Sequence, residues 1–128
     1  MRGSEIVTDV AKRNARNRRA GSRWQSDLRN GLREASFDIE RLALTGTEDE
    51  GDHVVRLGGK RIVIEAKAGT MHPADFAQQA VVEADNFAKH RGLDRADVQG
   101  IAVVKRRGAS WKQAYVLTTV AEYFGLDS

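Results

Sequence analysis

The chain has 128 residues, enough for one compact domain with one core, and at 41% hydrophobic and 30% charged with a single Pro it is globular rather than disordered material. Its net charge of +3 is uneven: residues 1–33 hold nine Lys/Arg against three acids, a net +6 that leaves −3 on the remainder, which points to a polyanion partner. The absence of Cys excludes disulfides, thiol chemistry and Cys-based zinc sites, and His53, His72 and His90 lack a metal-ligand spacing. No apolar run nears the ~18 residues of a membrane span or makes a signal-peptide core, so a cytoplasmic protein is expected.

Residues 1–20 read as a basic N-terminal arm or a helix start, and 21–128 as a single domain. In "SRWQSDLRNGLREA" Trp24, Leu28, Leu32 and Ala35 recur at steps of four, four and three, one stripe of a helix with Trp24 in its core side. Ser22 is the expected N-cap, and Gly31 weakens the helix without breaking it. "FDIERLAL" (37–44) alternates and reads as a strand, and "TGTEDEG" as a polar loop. Residues 52–57 and 60–67 are strands around Gly58-Gly59. A helix over 73–90 follows, opened by Pro73, with Phe76, Ala77, Ala80, Val81, Ala84, Phe87 and Ala88 as its buried stripe. Strands are expected at 98–105 and 112–120, and a short helix or tail at "AEYFGL". Short links make the first three strands antiparallel. The helix over 73–90 is long enough for a crossover that sets strand 98–105 parallel to its predecessor. The fold class is α/β: a mixed sheet of about five strands with helices on both faces.

Gly58-Gly59 suits a two-residue hairpin turn, and such a turn sets the register. Leu57 then faces Lys60, Val55 faces Ile62, Val54 faces Val63, His53 faces Ile64, and Asp52 faces Glu65. Opposed residues share a face with Cβ atoms ~5 Å apart, and a period of two adds Lys67 to the face of the two acids. Val55, Ile62, Ile64 and Ala66 lie on the other face, a core face. Two facing carboxylates repel, whereas a divalent cation such as Mg²⁺ takes carboxylate oxygens while keeping several waters. A lysine beside them can hold a phosphate oxygen, orient a water or stabilise developing charge. These are the parts of metal-assisted phosphodiester hydrolysis. An E-x-K at a strand end is by itself an ordinary solvated pattern; the Gly-Asp at the mating position of the hairpin is what raises it above that.

The pattern G-D-x(12)-E-A-K on a hairpin resembles the PD-(D/E)xK nuclease superfamily. Together with "GSRWQSDL", "VVKRRG" and "AYVLTTVAEYF" it makes residues 18–124 similar to small phage and archaeal-type Holliday junction resolvases. The resemblance implies a restriction-endonuclease-like fold and a metal-dependent endonuclease that cuts branched DNA as a homodimer, in the cytoplasm or, if phage-encoded, the host's. It implies Mg²⁺ as cofactor, with Mn²⁺ able to substitute. Asp52 and Glu65 would be metal ligands with the carbonyl of Ala66, and Lys67 the motif lysine. The family places a Glu on the first helix where this chain has Gln25. Either Gln25 orients weakly, or Asp27 or another acid substitutes, or activity is reduced. The motif's Pro is replaced by Gly51, a common variant. Asp49 reads first as a solvated loop acid and second as a neighbour of the metal. Gln79, one turn from Glu83 on the same side of its helix, is a candidate member of the site. Arg16, Arg18, Arg19 and Arg23, then Lys105, Arg106 and Arg107, are candidate phosphate contacts, which position DNA without reading its sequence. Two alternatives stay open: a nuclease of the same superfamily for another DNA structure (restriction, repair or end processing), and a catalytically silent DNA-binding module.

Overall fold

The computed structural model describes residues 2–43 and 48–127, with side chains from Val10 onward. Leu44 of the expected first strand and residues 45–47 of the polar loop lie outside the described residues.

Helix α1 runs Arg2–Glu34 without a break. Ser22 therefore lies inside it and is no N-cap. The residues upstream, Ala11, Lys12, Arg13, Ala15, Arg16, Arg18, Arg19 and Ala20, are among the strongest helix formers, so nothing stops the helix before Ser22. Its C-terminus closes where Ser36, at φ 73, turns the chain. There Phe37 N–H donates to Leu32 O at 3.0 Å and Ser36 N–H to Arg33 O at 2.9 Å, which satisfies the last carbonyls.

Among the described residues five strands form one sheet in the order β1-β2-β3-β4-β5. They are β1 (Asp38–Arg41), β2 (His53–Leu57), β3 (Lys60–Lys67), β4 (Val98–Val104) and β5 (Tyr115–Leu117). β1–β2, β2–β3 and β4–β5 are antiparallel; β3–β4 is parallel, joined by helix α2 (Pro73–Arg91). The hairpin has the expected register, from Leu57 opposite Lys60 to His53 opposite Ile64, around Gly58 at φ 60. Four strands are shorter than the sequence pattern, β2 by Asp52 at its start. β1 stops at Arg41 and β4 at Val104. In the last, local capping wins over strand propensity. The Ser110 side chain accepts from Lys112 N–H and opens a 3₁₀ turn at Trp111–Gln113. That of Thr119 accepts from Glu122 N–H and opens α3 (Val120–Phe124).

Helices cover both faces of the sheet. On one, Trp24 and Leu28 of α1 pack with Ile39, Val55, Ile64 and Val103, and the Trp24 indole N–H donates to Val103 O at 3.2 Å. On the other, Ala84, Phe87 and Ala88 of α2 cover Val54, Val63 and Val98. The helix sits close: a Cβ on Gly100 of β4 would lie 2.2 Å from Ala80 O. Phe76 and Val81, expected in the α2 stripe, are only half-buried, and Glu83 is buried instead. Among the described residues no helix is long and apolar enough to cross a membrane.

Candidate active site

The registered pairing of the hairpin ends at His53 opposite Ile64, and Asp52 bonds the chain on either side of it. Asp52 N–H donates to Ile64 O at 2.9 Å, and Asp52 O accepts from Leu42 N–H at 2.8 Å. Asp52 thus follows the last registered pair, close enough to Glu65 for their two charges to interact. The Asp52 carboxylate turns to the main chain of β3, where Oδ2 accepts from Ala66 N–H at 2.8 Å. Burial, then the nearby charge of Glu65, pushes the Asp52 carboxyl up to about 6 against that stabilising hydrogen bond.

Glu65 is 7% exposed. Its Oε1 accepts from Gln79 Nε2 at 3.2 Å and pairs with Lys67 Nζ at 3.3 Å. Lys67 also lies over the Phe76 ring, 5.3 Å from its centroid. Both donors converge on one oxygen. The other, Oε2, is buried with no hydrogen-bond partner among the described residues.

Sequence reasoning left Glu83 out of the site. It is 1% exposed, and neither carboxylate oxygen has a partner among the described residues. Burial and the neighbouring Glu65 hold its carboxyl far above the carboxylate range. The missed signal was positional: Glu83 lies three residues after Ala80 and four before Phe87, inside the apolar stripe of α2. One oxygen or more of each of Asp49, Glu65 and Glu83 falls within 4.8 Å of the others.

Asp49 is brought there by a clamp on the far end of α2. Glu50, 8% exposed, accepts from His90 at 2.8 Å and pairs with Arg91, and Asn86 Nδ2 donates to Asp49 O at 2.8 Å. Asp49 Oδ1 accepts from Gly51 N–H at 2.9 Å. Gly51 has φ +96, and a Cβ there would come within 3.0 Å of Glu83 Oε2 and 2.8 Å of Val63 Cγ1. A side chain at 51 would thus both strain the backbone and fill the space beside Glu83.

The first helix contributes differently. Gln25 offers its main-chain carbonyl, 3.2 Å from His53 Nε2, and α1 covers the face of the sheet opposite Glu65. No hydrogen bond among the described residues links its amide to Asp52, Glu65 or Lys67. Arg16, Arg18, Arg19 and Arg23 are all exposed. Arg16, Arg19 and Arg23 follow Lys12 at steps of four, three and four, so these four cations share one side of α1. Lys105, Arg106 and Arg107 are exposed at the end of β4, where Lys105 N–H donates to Lys67 O at 2.8 Å. This second basic group therefore borders the same end of the sheet as Lys67.

Glu65 and Glu83 present bare, buried oxygens, and Asp49 adds a third carboxylate. Such an all-oxygen donor set suits a hard divalent cation. No family model matches the chain, and no curated protein matches its sequence. A solved structure does: Hjc from Archaeoglobus fulgidus, a Holliday junction resolvase from an archaeal hyperthermophile. The match covers 74% of this chain and 72% of that one, with a TM-score of 0.50 and 23% identity. The two chains share a fold. It is the resolvase, restriction-endonuclease-like α/β fold: a five-stranded mixed sheet between helices.

Proposed function

We propose that the chain is a metal-dependent endonuclease that hydrolyses phosphodiester bonds in branched DNA, the four-way Holliday junction first among its substrates. The observation that carries this reading is Asp52 close to Glu65 and Lys67 paired with Glu65, at one end of a sheet built like that of a resolvase. Mg²⁺ is the proposed cofactor, with Mn²⁺ able to substitute. When bound it supplies a water of lowered pKa and offsets charge at the phosphate. Asp52 and Glu65 supply carboxylate oxygens to it, and Gln79 fixes the rotamer of Glu65. Lys67, held by Glu65 on one side and the Phe76 ring on the other, is placed to pair with a phosphate oxygen. Lys105, Arg106 and Arg107 hold the backbone near the cut, and the α1 arginines hold it further away. One 14.2 kDa chain carries one such site, so paired cuts across a junction call for a two-fold homodimer.

The test is cleavage of matched four-way junction, flap, single-strand and duplex DNA with Mg²⁺. Symmetric nicks on the junction, abolished by Asp52→Asn and by Lys67→Ala, support the proposal. Cutting of flaps or duplex in preference to junctions assigns the same site to another DNA structure. Tight junction binding without cutting makes the chain a silent binding module.

A further inference from the structure

We propose that Glu83 of α2 is a direct ligand of the catalytic cation, adding a buried carboxylate from the second helix to those of Asp52, Glu65 and Asp49. The inference rests on the nuclease reading above and adds a residue to its site.

Burial carries the first step. A carboxylate in an apolar stripe is costly unless something answers its charge and its lone pairs. Glu83 is 1% exposed, on the buried stripe of α2 that also holds Ala80, Ala84 and Phe87, and both its oxygens lack hydrogen-bond partners among the described residues. The Gln79 amide and the Lys67 ammonium both reach Glu65 Oε1. By donor–acceptor geometry no donor among the described residues bonds the Glu83 oxygens, and the group set beside them is the Glu65 carboxylate.

Geometry carries the second. Three elements with no sequence proximity, the loop before β2, strand β3 and helix α2, bring carboxylate oxygens within 4.8 Å of one another. Around an octahedral Mg²⁺ with bonds of about 2.1 Å, oxygens stand about 3.0 Å apart when adjacent and about 4.2 Å when opposite. The three oxygens therefore need to contract by only a few tenths of an ångström to about 2 Å, a side-chain adjustment. The arrangement of Glu65 fits as well. Its two donors occupy Oε1 and leave Oε2, the buried bare oxygen, free for a cation. Gly51 keeps the space beside Glu83 Oε2 open, since any side chain there would come within 3.0 Å of it. The ion pairs of Glu50 with His90 and Arg91 fasten the loop that carries Asp49 onto the same helix that carries Glu83.

A buried acid kept only for packing would behave otherwise. Glu83→Gln preserves shape and hydrogen-bonding capacity while removing the anionic ligand, so it separates the two roles. The readout is cation binding to the whole chain without DNA: calorimetric titration with Mn²⁺ and with Mg²⁺, and the rise in melting temperature each ion gives. The parent should bind, and E83Q should lose about 10-fold or more in affinity and most of the melting shift. A melt in EDTA reports whether E83Q has folded. Should it fail, Mn²⁺ diffused into crystals of the parent decides the matter by anomalous scattering. A peak about 2.1–2.3 Å from a Glu83 oxygen supports the assignment. A peak at Asp52 and Glu65 that leaves Glu83 beyond about 4 Å overturns it. So does an E83Q protein that binds Mn²⁺ as tightly as the parent, or a parent that binds neither ion. The nuclease reading fails separately, if the parent cuts none of the DNA substrates or if K67A cuts as well as the parent.

Discussion

Gly100→Ala tests the seating of α2, on which the position of Glu83 and Gln79 depends. In a strand, Ala in place of Gly would ordinarily add about 0.5–1 kcal/mol of stability by restricting the unfolded chain. Here the added Cβ would stand 2.2 Å from Ala80 O, 2.8 Å from Ala80 C and 3.0 Å from Ala84 Cβ. The first two are main-chain atoms of a helix and cannot rotate away. To reach ordinary contact α2 must retreat from β4 by roughly 1 Å, or β4 must bend where Gly100 pairs with Val63. Overpacking of this kind costs about 1–3 kcal/mol, and a rigid main-chain obstacle puts the cost toward the top. For 128 residues the unfolding entropy is about 0.27 kcal/mol/K, so a loss of about 2–3 kcal/mol lowers the melting temperature by about 7–11 °C. The assay is thermal unfolding followed by circular dichroism in EDTA, so that cation binding does not contribute. Adding Ala84→Gly should recover little, because the main obstacle is Ala80 O. A drop below about 3 °C, or full rescue by A84G, would refute the close seating of helix on sheet.

The raised Asp52 carboxyl predicts a pH dependence in the cation-free protein. A folded value of about 6 against an ordinary 3.8 means that the folded state holds the proton more tightly, so the contribution to stability falls as pH rises from about 4 to about 6. Melting temperatures in EDTA across that range should therefore decline more for the parent than for Asp52→Asn; identical slopes would show that Asp52 titrates normally. The cationic side of α1 predicts a salt effect: replacing Arg16, Arg19 and Arg23 with Ala should reduce the slope of log affinity against log salt by about 0.9 per lost phosphate contact. The measurement is fluorescence anisotropy on a labelled junction, and an unchanged slope would place the DNA elsewhere.

The hairpin was legible because its determinants are local. A Gly-Gly turn sets the register and alternation sets the faces, and the structure has that register from Leu57 opposite Lys60 to His53 opposite Ile64, with Lys67 paired to Glu65 beyond it. The Trp24–Leu28–Leu32 stripe was readable for the same reason, since 3.6-residue periodicity is a property of the segment alone. The run of helix formers ahead of Ser22 was readable too, and an isolated Ser does not outweigh it. What the sequence did not contain was the partner of each surface. Glu83 looks like a polar neighbour of Gln79 until α2 is laid on β3 and β4; only then does burial strip it of water and point it at Glu65. Gln25 looks like a displaced ligand until α1 is laid on the opposite face, where its main chain meets His53. Asp49 looks like a loop acid until Glu50, His90 and Arg91 fasten that loop to α2. Periodicity says which residues of an element share a side. Packing of distant elements decides what that side faces, and for a carboxylate this sets its hydration and its neighbours, and so its chemistry.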